Sequence, residues 1–302
     1  MIELHAVSKI FGDTPVVDNI SLHVKKGEIF GLLGPNAAGK TTTIRLLCNL
    51  LSISSGTATV AGLDLVKNRE ALKHKIGYVA QYFGLYDELS VFDNLKFYTS
   101  LYGRVDEEKL TALLKKYKID EFKDAKAGSL SGGYKRRLSL CCALSHEPEV
   151  IFLDEPTAGI DPVTRKALWD IFYELSQEGK TLFVTTHYME EAQRCSKIAF
   201  LNRGKIVIEG SPSEVENSLS SFIVYRLTQR FKYELLKILE KNGSVHLVNQ
   251  FGDELRIMVQ KEFTQESLEL LISPYVDERV VLELSRANLE DVFIALTQER
   301  ES

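Results

Sequence analysis

The apolar positions of this chain change their period several times, and each change marks a new element. Near the start they alternate. Ile20, Leu22 and Val24 are separated by polar residues and Gly12-Asp13 supplies a turn, the pattern of short, half-buried strands. Ile29–Leu33 is instead a compact apolar run ending in a glycine-rich segment, after which Ile44, Leu47, Cys48 and Leu51 recur at helical spacing. Strand, glycine loop and helix open a nucleotide-binding α/β unit. Between 85 and 144 the spacing is helical, with Leu110, Leu113, Leu114 and Tyr117 sharing one face. Two continuous apolar runs, 150–153 and Thr181–Thr186, flank a helix at 165–177, as expected of parallel strands covered on both faces. Residues 198–201 and 206–208, joined by Asn202-Arg203-Gly204, read as a hairpin.

Gly210-Ser211-Pro212-Ser213 breaks this pattern, and Ser218-Leu219-Ser220-Ser221 reads as a linker. Beyond it the pattern predicts a strand (Phe222–Leu227), a helix (231–241), a hairpin turning at Gly252-Asp253, a helix (266–271), a strand (280–284) and a last helix near 289–296. The expected organisation is an α/β domain over 1–218, with a helical subdomain at about 85–145, followed by a small α+β domain over 219–302.

Composition narrows the class of partner. The chain has 302 residues, 44% hydrophobic and 26% charged, so it can bury a core and disorder is not the default. Residues 1–219 carry 27 basic and 28 acidic side chains, and residues 220–302 carry 10 and 14. Neither part offers the basic surface that a phosphate backbone demands, so no nucleic-acid partner is expected. Cys48, Cys141, Cys142 and Cys195 form no C-x-x-C pair, which points to reduced thiols in a cytosolic protein. The opening residues carry Glu3 and His5, unlike a signal peptide. The longest charge-free run, between Arg45 and Asp64, is interrupted by Asn49, Gly56, Gly62 and several hydroxyl residues, so no membrane span is expected.

Three segments carry chemistry. Gly34-Pro35-Asn36-Ala37-Ala38-Gly39-Lys40-Thr41 matches G-x-x-x-x-G-K-[ST], with Thr42 following. In such a loop, backbone N–H groups and a helix start cradle phosphates, the lysine reaches the β- and γ-phosphates, and the Thr41 hydroxyl ligates Mg²⁺. The apolar run at 150–153 ends in Asp154 and Glu155, which places Asp154 to hold Mg²⁺ through water and Glu155 to polarise an attacking water. Leu130-Ser131-Gly132-Gly133-Tyr134-Lys135-Arg136-Arg137-Leu138 opens another helix with a hydroxyl and bare N–H groups, a second anion site. One nucleotide does not need two such sites in one chain, whereas a head-to-tail dimer does.

On these segments the sequence resembles the ATPase subunit of ATP-binding cassette (ABC) transporters, over residues 2–215. The resemblance implies a P-loop NTPase core with an antiparallel β subdomain and a helical subdomain, binding ATP and Mg²⁺ as a homodimer with nucleotide at the interface. It implies roles in turn for Gln81 as the glutamine that senses Mg²⁺, Asp161 within the loop that communicates across the dimer, and His187 as the switch histidine. Phe11 stands where the family stacks an aromatic on adenine. The run Thr186-His187-Tyr188-Met189-Glu190-Glu191-Ala192 and the tail Asn288-Leu289-Glu290-Asp291-Val292-Phe293 resemble the exporter-type subgroup of drug-resistance and polysaccharide-export ATPases. There the ATPase is a separate chain on the cytoplasmic face of a membrane, bound to membrane subunits. The aromatic stretch Tyr82-Phe83-Gly84-Leu85-Tyr86, next to Gln81, is the expected docking surface for them, with a buried aromatic cluster as its alternative. Ala37, Tyr134 and Phe11 depart from the glycine, glutamine and frequent tyrosine of the family, and alanine resists positive φ. A soluble cassette ATPase acting on ribosomes or DNA is the alternative from another class, and an importer ATPase the alternative within transport.

Overall fold

The computed structural model describes residues 1–298 and divides the chain into two compact units, Met1–Glu209 and Gly210–Ser302. The first begins with a long hairpin, β1 (Ile2–Phe11) and β2 (Thr14–Val24), and the fully buried β3 (Ile29–Leu33). Helix α1 (Lys40–Leu47), β4 (Ser55–Val60), β5 (Leu63–Asp64), α2 (Arg69–Lys73) and β6 (Ile76–Val79) follow. Three helices come next: α3 (Val91–Ser100), α4 (Glu107–Lys116) and α5 (Gly132–Leu144). The unit closes with β7 (Val150–Asp154), α6 (Pro162–Gln177), β8 (Thr181–Thr186), the short α7 (Met189–Ala192), β9 (Lys197–Asn202) and β10 (Lys205–Gly210), whose last residue opens the second unit.

These strands form two sheets. An antiparallel sheet has the order β2-β1-β4-β5, and a six-stranded sheet has the order β10-β9-β3-β8-β7-β6. In the larger sheet β3, β6, β7, β8 and β9 run parallel. Its central strands β3, β7 and β8 are buried at every residue, which is why they read as unbroken apolar runs rather than alternating ones. Ile2, Leu4, Val7 and Ile20 of the antiparallel sheet share one hydrophobic core with Phe30, Leu32, Phe152 and Phe183 of the larger sheet. The order places the ends of β3, β7 and β8 side by side, so the loops after them meet on one edge. Helix α1 stops before the Leu51 that its periodicity includes, because Asn49 turns left-handed (φ 55°).

In the second unit α8 (Pro212–Glu216) opens on a Ser211–Glu214 capping box. Strand β11 (Phe222–Leu227), helix α9 (Glu234–Glu240), β12 (Val245–Phe251), β13 (Glu254–Gln260), α10 (Gln265–Ile272), β14 (Glu283–Ser285) and α11 (Leu289–Gln298) complete it. Its antiparallel sheet has the order β12-β13-β11-β14. Alternation along β11 and β13 splits the two faces: Tyr225, Leu227, Ile257 and Val259 pack with Leu235, Leu239, Leu268 and Ile272 of α9 and α10, while Val224 and Met258 pack with Ala295 of α11. Two expected elements differ. The helix expected at 231–241 begins at Glu234, because Phe231 instead bridges to Val276. The strand expected at 280–284 is Glu283–Ser285; Val280 and Leu282 are buried in the core, but only Glu283, Leu284 and Ser285 pair with β11.

Candidate nucleotide site

The loop before α1 is fixed by close backbone packing. A Cβ on Gly34 would stand 2.2 Å from the Leu201 carbonyl oxygen, and one on Gly39 2.6 Å from that of Val16. Both positions therefore require glycine. Between them Pro35, Asn36 and Ala37 are exposed, Ala38 is buried, and Ala37 adopts φ 64°, a left-handed conformation unusual for a residue with a Cβ. No side chain caps α1 and its first turn carries no acidic residue, so its first N–H groups are left without a capping partner.

Around this helix start the structure gathers six of the expected residues. The Lys40 ammonium is buried and donates to the carbonyls of Gly34 (2.8 Å) and Pro35 (3.0 Å), with Glu155 Oε1 3.3 Å away. Gln81, past the end of β6, donates through Nε2 to Glu155 Oε2 at 3.1 Å. His187 Nδ1 lies 3.4 Å from the same oxygen without hydrogen-bond alignment. Glu155 itself is only 8% exposed and holds φ 46°, an uncommon conformation of the kind that persists where surroundings over-determine it. Asp154 accepts from the hydroxyls of Thr41 (3.2 Å) and Thr185 (2.6 Å) through Oδ1, while its buried Oδ2 has no partner. Thr42 is half-buried on the next position of α1.

The remaining expected residues stand apart from this cluster and share no described hydrogen bond or ion pair with it. Ser131 and Gly132 are exposed at the start of α5, where the serine hydroxyl makes no capping bond and the first turn again lacks acid. The two glycines differ in kind. A Cβ on Gly133 would come within 2.6 Å of Thr164 Cγ2 on α6, whereas one on Gly132 would meet nothing within 4 Å. Asp161 serves as the N-cap of α6, accepting from the backbone N–H groups of Val163 (3.1 Å) and Thr164 (3.0 Å). The Thr164 hydroxyl and amide hold its carboxyl below the usual range. Phe11 is exposed at the end of β1, with the Lys9 ammonium 5.0 Å from its ring centre. Tyr134 packs on Phe122 with ring centres 4.4 Å apart, so this departure from the family pattern is absorbed within the helical part.

Sequence reasoning missed three supporting residues. Thr185 joins both acidic residues, donating to the Asp154 carboxylate and accepting from the backbone N–H of Glu155 at 3.0 Å. Glu191, almost fully buried, accepts from Thr186 at 2.7 Å and from the Thr157 hydroxyl, tying the segment before His187 to the one after Glu155. Arg136, buried on α5, donates to the carbonyls of Ala80 and Gln81. A run of hydroxyl residues ending a buried strand is the one available signal for Thr185; nothing local marks the other two.

Comparison with known proteins agrees with this geometry. The family model described as "ABC transporter" matches residues 17–158. The chain is 41% identical to the probable multidrug ABC transporter ATP-binding protein YbhF of Escherichia coli (strain K12) over 72% of its own length, but that match spans only 38% of YbhF. It is 33% identical to the Nod factor export ATP-binding protein I of Cupriavidus metallidurans over 98% of this chain and 97% of that one. A bacterial ABC transporter cassette solved as a dimer superposes with a TM-score of 0.64 at 27% identity, covering 70% of this chain and 98% of the cassette. The phosphate loop, the paired carboxylates and a full-length likeness to an ATP-binding protein converge: the chain belongs to the ABC transporter family as its ATP-binding subunit, an ATPase.

Proposed function

We propose that this ATPase drives export through separate membrane subunits, on the cytoplasmic face of a membrane, by closing as a head-to-tail homodimer around two ATP molecules. The observation that carries the reading is the Glu155 carboxylate, reached at once by Lys40, Gln81 and His187 from three different parts of the fold. Residues 34–42 and the start of α1 would bind the phosphates, with Lys40 at the β- and γ-phosphates, and Phe11 would stack on the adenine. Glu155 would orient the attacking water and accept its proton, while His187 steadies the γ-phosphate. Ser131, Gly132 and Gly133 would complete the partner's site, with Asp161 in the loop between the two sites. The export assignment draws on the relatives named for multidrug transport and Nod factor export.

The residues around Asp154 also suit Mg²⁺. The buried, unpartnered Asp154 Oδ2, the Thr41 hydroxyl and the Gln81 side chain offer oxygen donors of the kind a hard cation takes. Among the described residues no cluster of three or more His, Cys, Asp or Glu could hold a metal. When bound, Mg²⁺ would neutralise charge on the β- and γ-phosphates. The exposed Tyr82 and Tyr86 and the partly exposed Phe83 would form the docking surface for a membrane subunit. Residues 219–302 hold none of the proposed site residues and are assigned an accessory role in dimer contact or regulation.

Glu155→Gln tests the reading. It keeps shape and hydrogen-bonding reach but removes the base, which typically costs 10²–10⁴-fold in rate. The expected outcome is normal ATP binding, hydrolysis reduced by about that factor in a phosphate-release assay, and an ATP-bound dimer by light scattering. Near-normal turnover would sink the role of Glu155; a dead variant that stays monomeric would count against the dimer.

A further inference from the structure

Arg136 is the most buried cation of the first unit outside the phosphate site, with 2% of its surface exposed. No carboxylate pairs with it among the described residues. Its Nη1 donates to the Ala80 carbonyl at 2.7 Å, its Nη2 to the Gln81 carbonyl at 3.1 Å, and its Nε has no partner. The ring centre of Phe83 lies 4.9 Å from the guanidinium carbon. Burial pushes the guanidinium down to about 10, which still leaves it charged at neutral pH.

The Asp154 carboxylate favours the charge only from beyond ion-pair distance, and a guanidinium taken out of water is costly, so its fork of donors must be satisfied by something else. Here the geometry of the sheet supplies it. The β6–β7 ladder ends at the pair Val79–Leu153, so the carbonyls of Ala80 and Gln81 lie beyond the last rung. Arg136 takes both, one with each terminal nitrogen of its planar fork. The same residue that it grips by the backbone, Gln81, reaches Glu155 with its side chain. Arg136 sits on α5 just over one turn beyond Ser131, Gly132 and Gly133, so the bond also ties Gln81 to the helix that those three residues open.

We propose that Arg136 is a positioning residue for hydrolysis: it fastens the Ala80-Gln81 segment to α5, so that the Gln81 amide meets Glu155 only when the Ser131 end of that helix is in place. This rests on the role assigned to Gln81 above. The mechanism needs no contact between Arg136 and nucleotide. Its loss should therefore lower kcat and leave the affinity for ATP alone.

The test is a cycle of Arg136→Met, Gln81→Ala and the double variant, each made in the full chain. ATP affinity is read with a fluorescent ATP analogue, kcat and KM by phosphate release. Arg136→Lys runs alongside, because it keeps charge and solubility while removing the fork, and it carries the cycle if the methionine variant does not fold. The expected result is a kcat reduced tenfold or more by Arg136→Met and several-fold by Arg136→Lys, with KM within twofold. In the Gln81→Ala background the Arg136 change should then cost less than twofold. A full additional loss in that background, or a loss carried by KM, would overturn the proposal while leaving the role of Gln81 standing. If Gln81→Ala alone hydrolyses ATP normally, the role of Gln81 fails, and the proposal falls with it.

Discussion

Helices α1 and α5 of the first unit start alike in one respect and differ in another. Neither is capped by a side chain and neither has an acidic residue in its first turn. Helix α6 of the same unit, by contrast, starts closed, with the Asp161 carboxylate on its first N–H groups and Pro162 behind it. Helices α2 and α7 also lack a side-chain cap, but each carries acid in its first turn, so α1 and α5 are the starts left both uncapped and without acid, as the proposed function requires. The difference between the two lies in their surroundings. The start of α1 is enclosed: Gly34 and Gly39 are pressed against the carbonyls of Leu201 and Val16, Lys40 is buried, and Glu155 stands beside it. The start of α5 is bare, with Ser131 and Gly132 exposed and no neighbour where a Gly132 side chain would go. Under the proposed function, one surface would hold phosphates by itself, and the other would meet phosphates held elsewhere.

The enclosed start should be the more costly to damage. Lys40→Ala removes the ammonium from a buried site and leaves Glu155 without its cation. Hydrogen bonds to charged groups contribute about 1.5–3 kcal/mol each, so ATP affinity should fall by roughly 10–150-fold, and hydrolysis with it. A titration with fluorescent ATP measures this; affinity within threefold of the native chain would mean that the enclosed start is not where phosphates bind.

The bare start should separate hydrolysis from binding. Gly132→Asp puts a carboxylate at the first position of α5, in open space. It favours the helix dipole and should stabilise the fold by about 0.3–1 kcal/mol. It should also repel an incoming phosphate. The expected outcome is a slightly raised melting temperature, ATP binding by the monomer within twofold, and hydrolysis lowered by an order of magnitude or more. Unchanged turnover would show that the α5 start never meets nucleotide.

How far this contrast could be read in advance depended on how local each feature is. The phosphate loop, the strand before Asp154 and the Ser131-Gly132-Gly133 segment are contiguous, and their spacing carries their meaning. The meeting of Gln81 with Glu155 joins residues 74 apart in sequence; the strand pattern anticipated Glu155, and only the family resemblance anticipated Gln81. Arg136 was not legible because its work is done by a fork of donors aimed at distant backbone, and Thr185 left only its place in a run of hydroxyl residues, because its single hydroxyl joins a carboxylate and a backbone N–H about 30 residues away. In the second unit, Val280 and Leu282 show the opposite error. Alternating burial looks like a strand whether or not a neighbour pairs with it, and here β11 pairs only from Glu283 onward.

The finest distinction concerns Ala37, in the exposed middle of the enclosed loop. Its φ of 64° brings a Cβ into a conformation that costs roughly 1–2 kcal/mol for an L residue. Ala37→Gly removes that strain, but glycine has more freedom to lose on folding, which offsets about 0.4–1 kcal/mol. The balance should stabilise the unit by up to about 1.5 kcal/mol, a rise of up to about 6 °C in melting temperature for a unit of this size. Affinity is a separate matter. If the loop already holds in the free protein the backbone that cradles phosphate, the strain is present with and without nucleotide and cancels from binding. ATP affinity should then stay within twofold while stability rises. A variant that melts lower would show that the loop accommodates alanine without strain, and one that binds ATP several-fold more tightly would show that the enclosed start still rearranges when phosphates arrive.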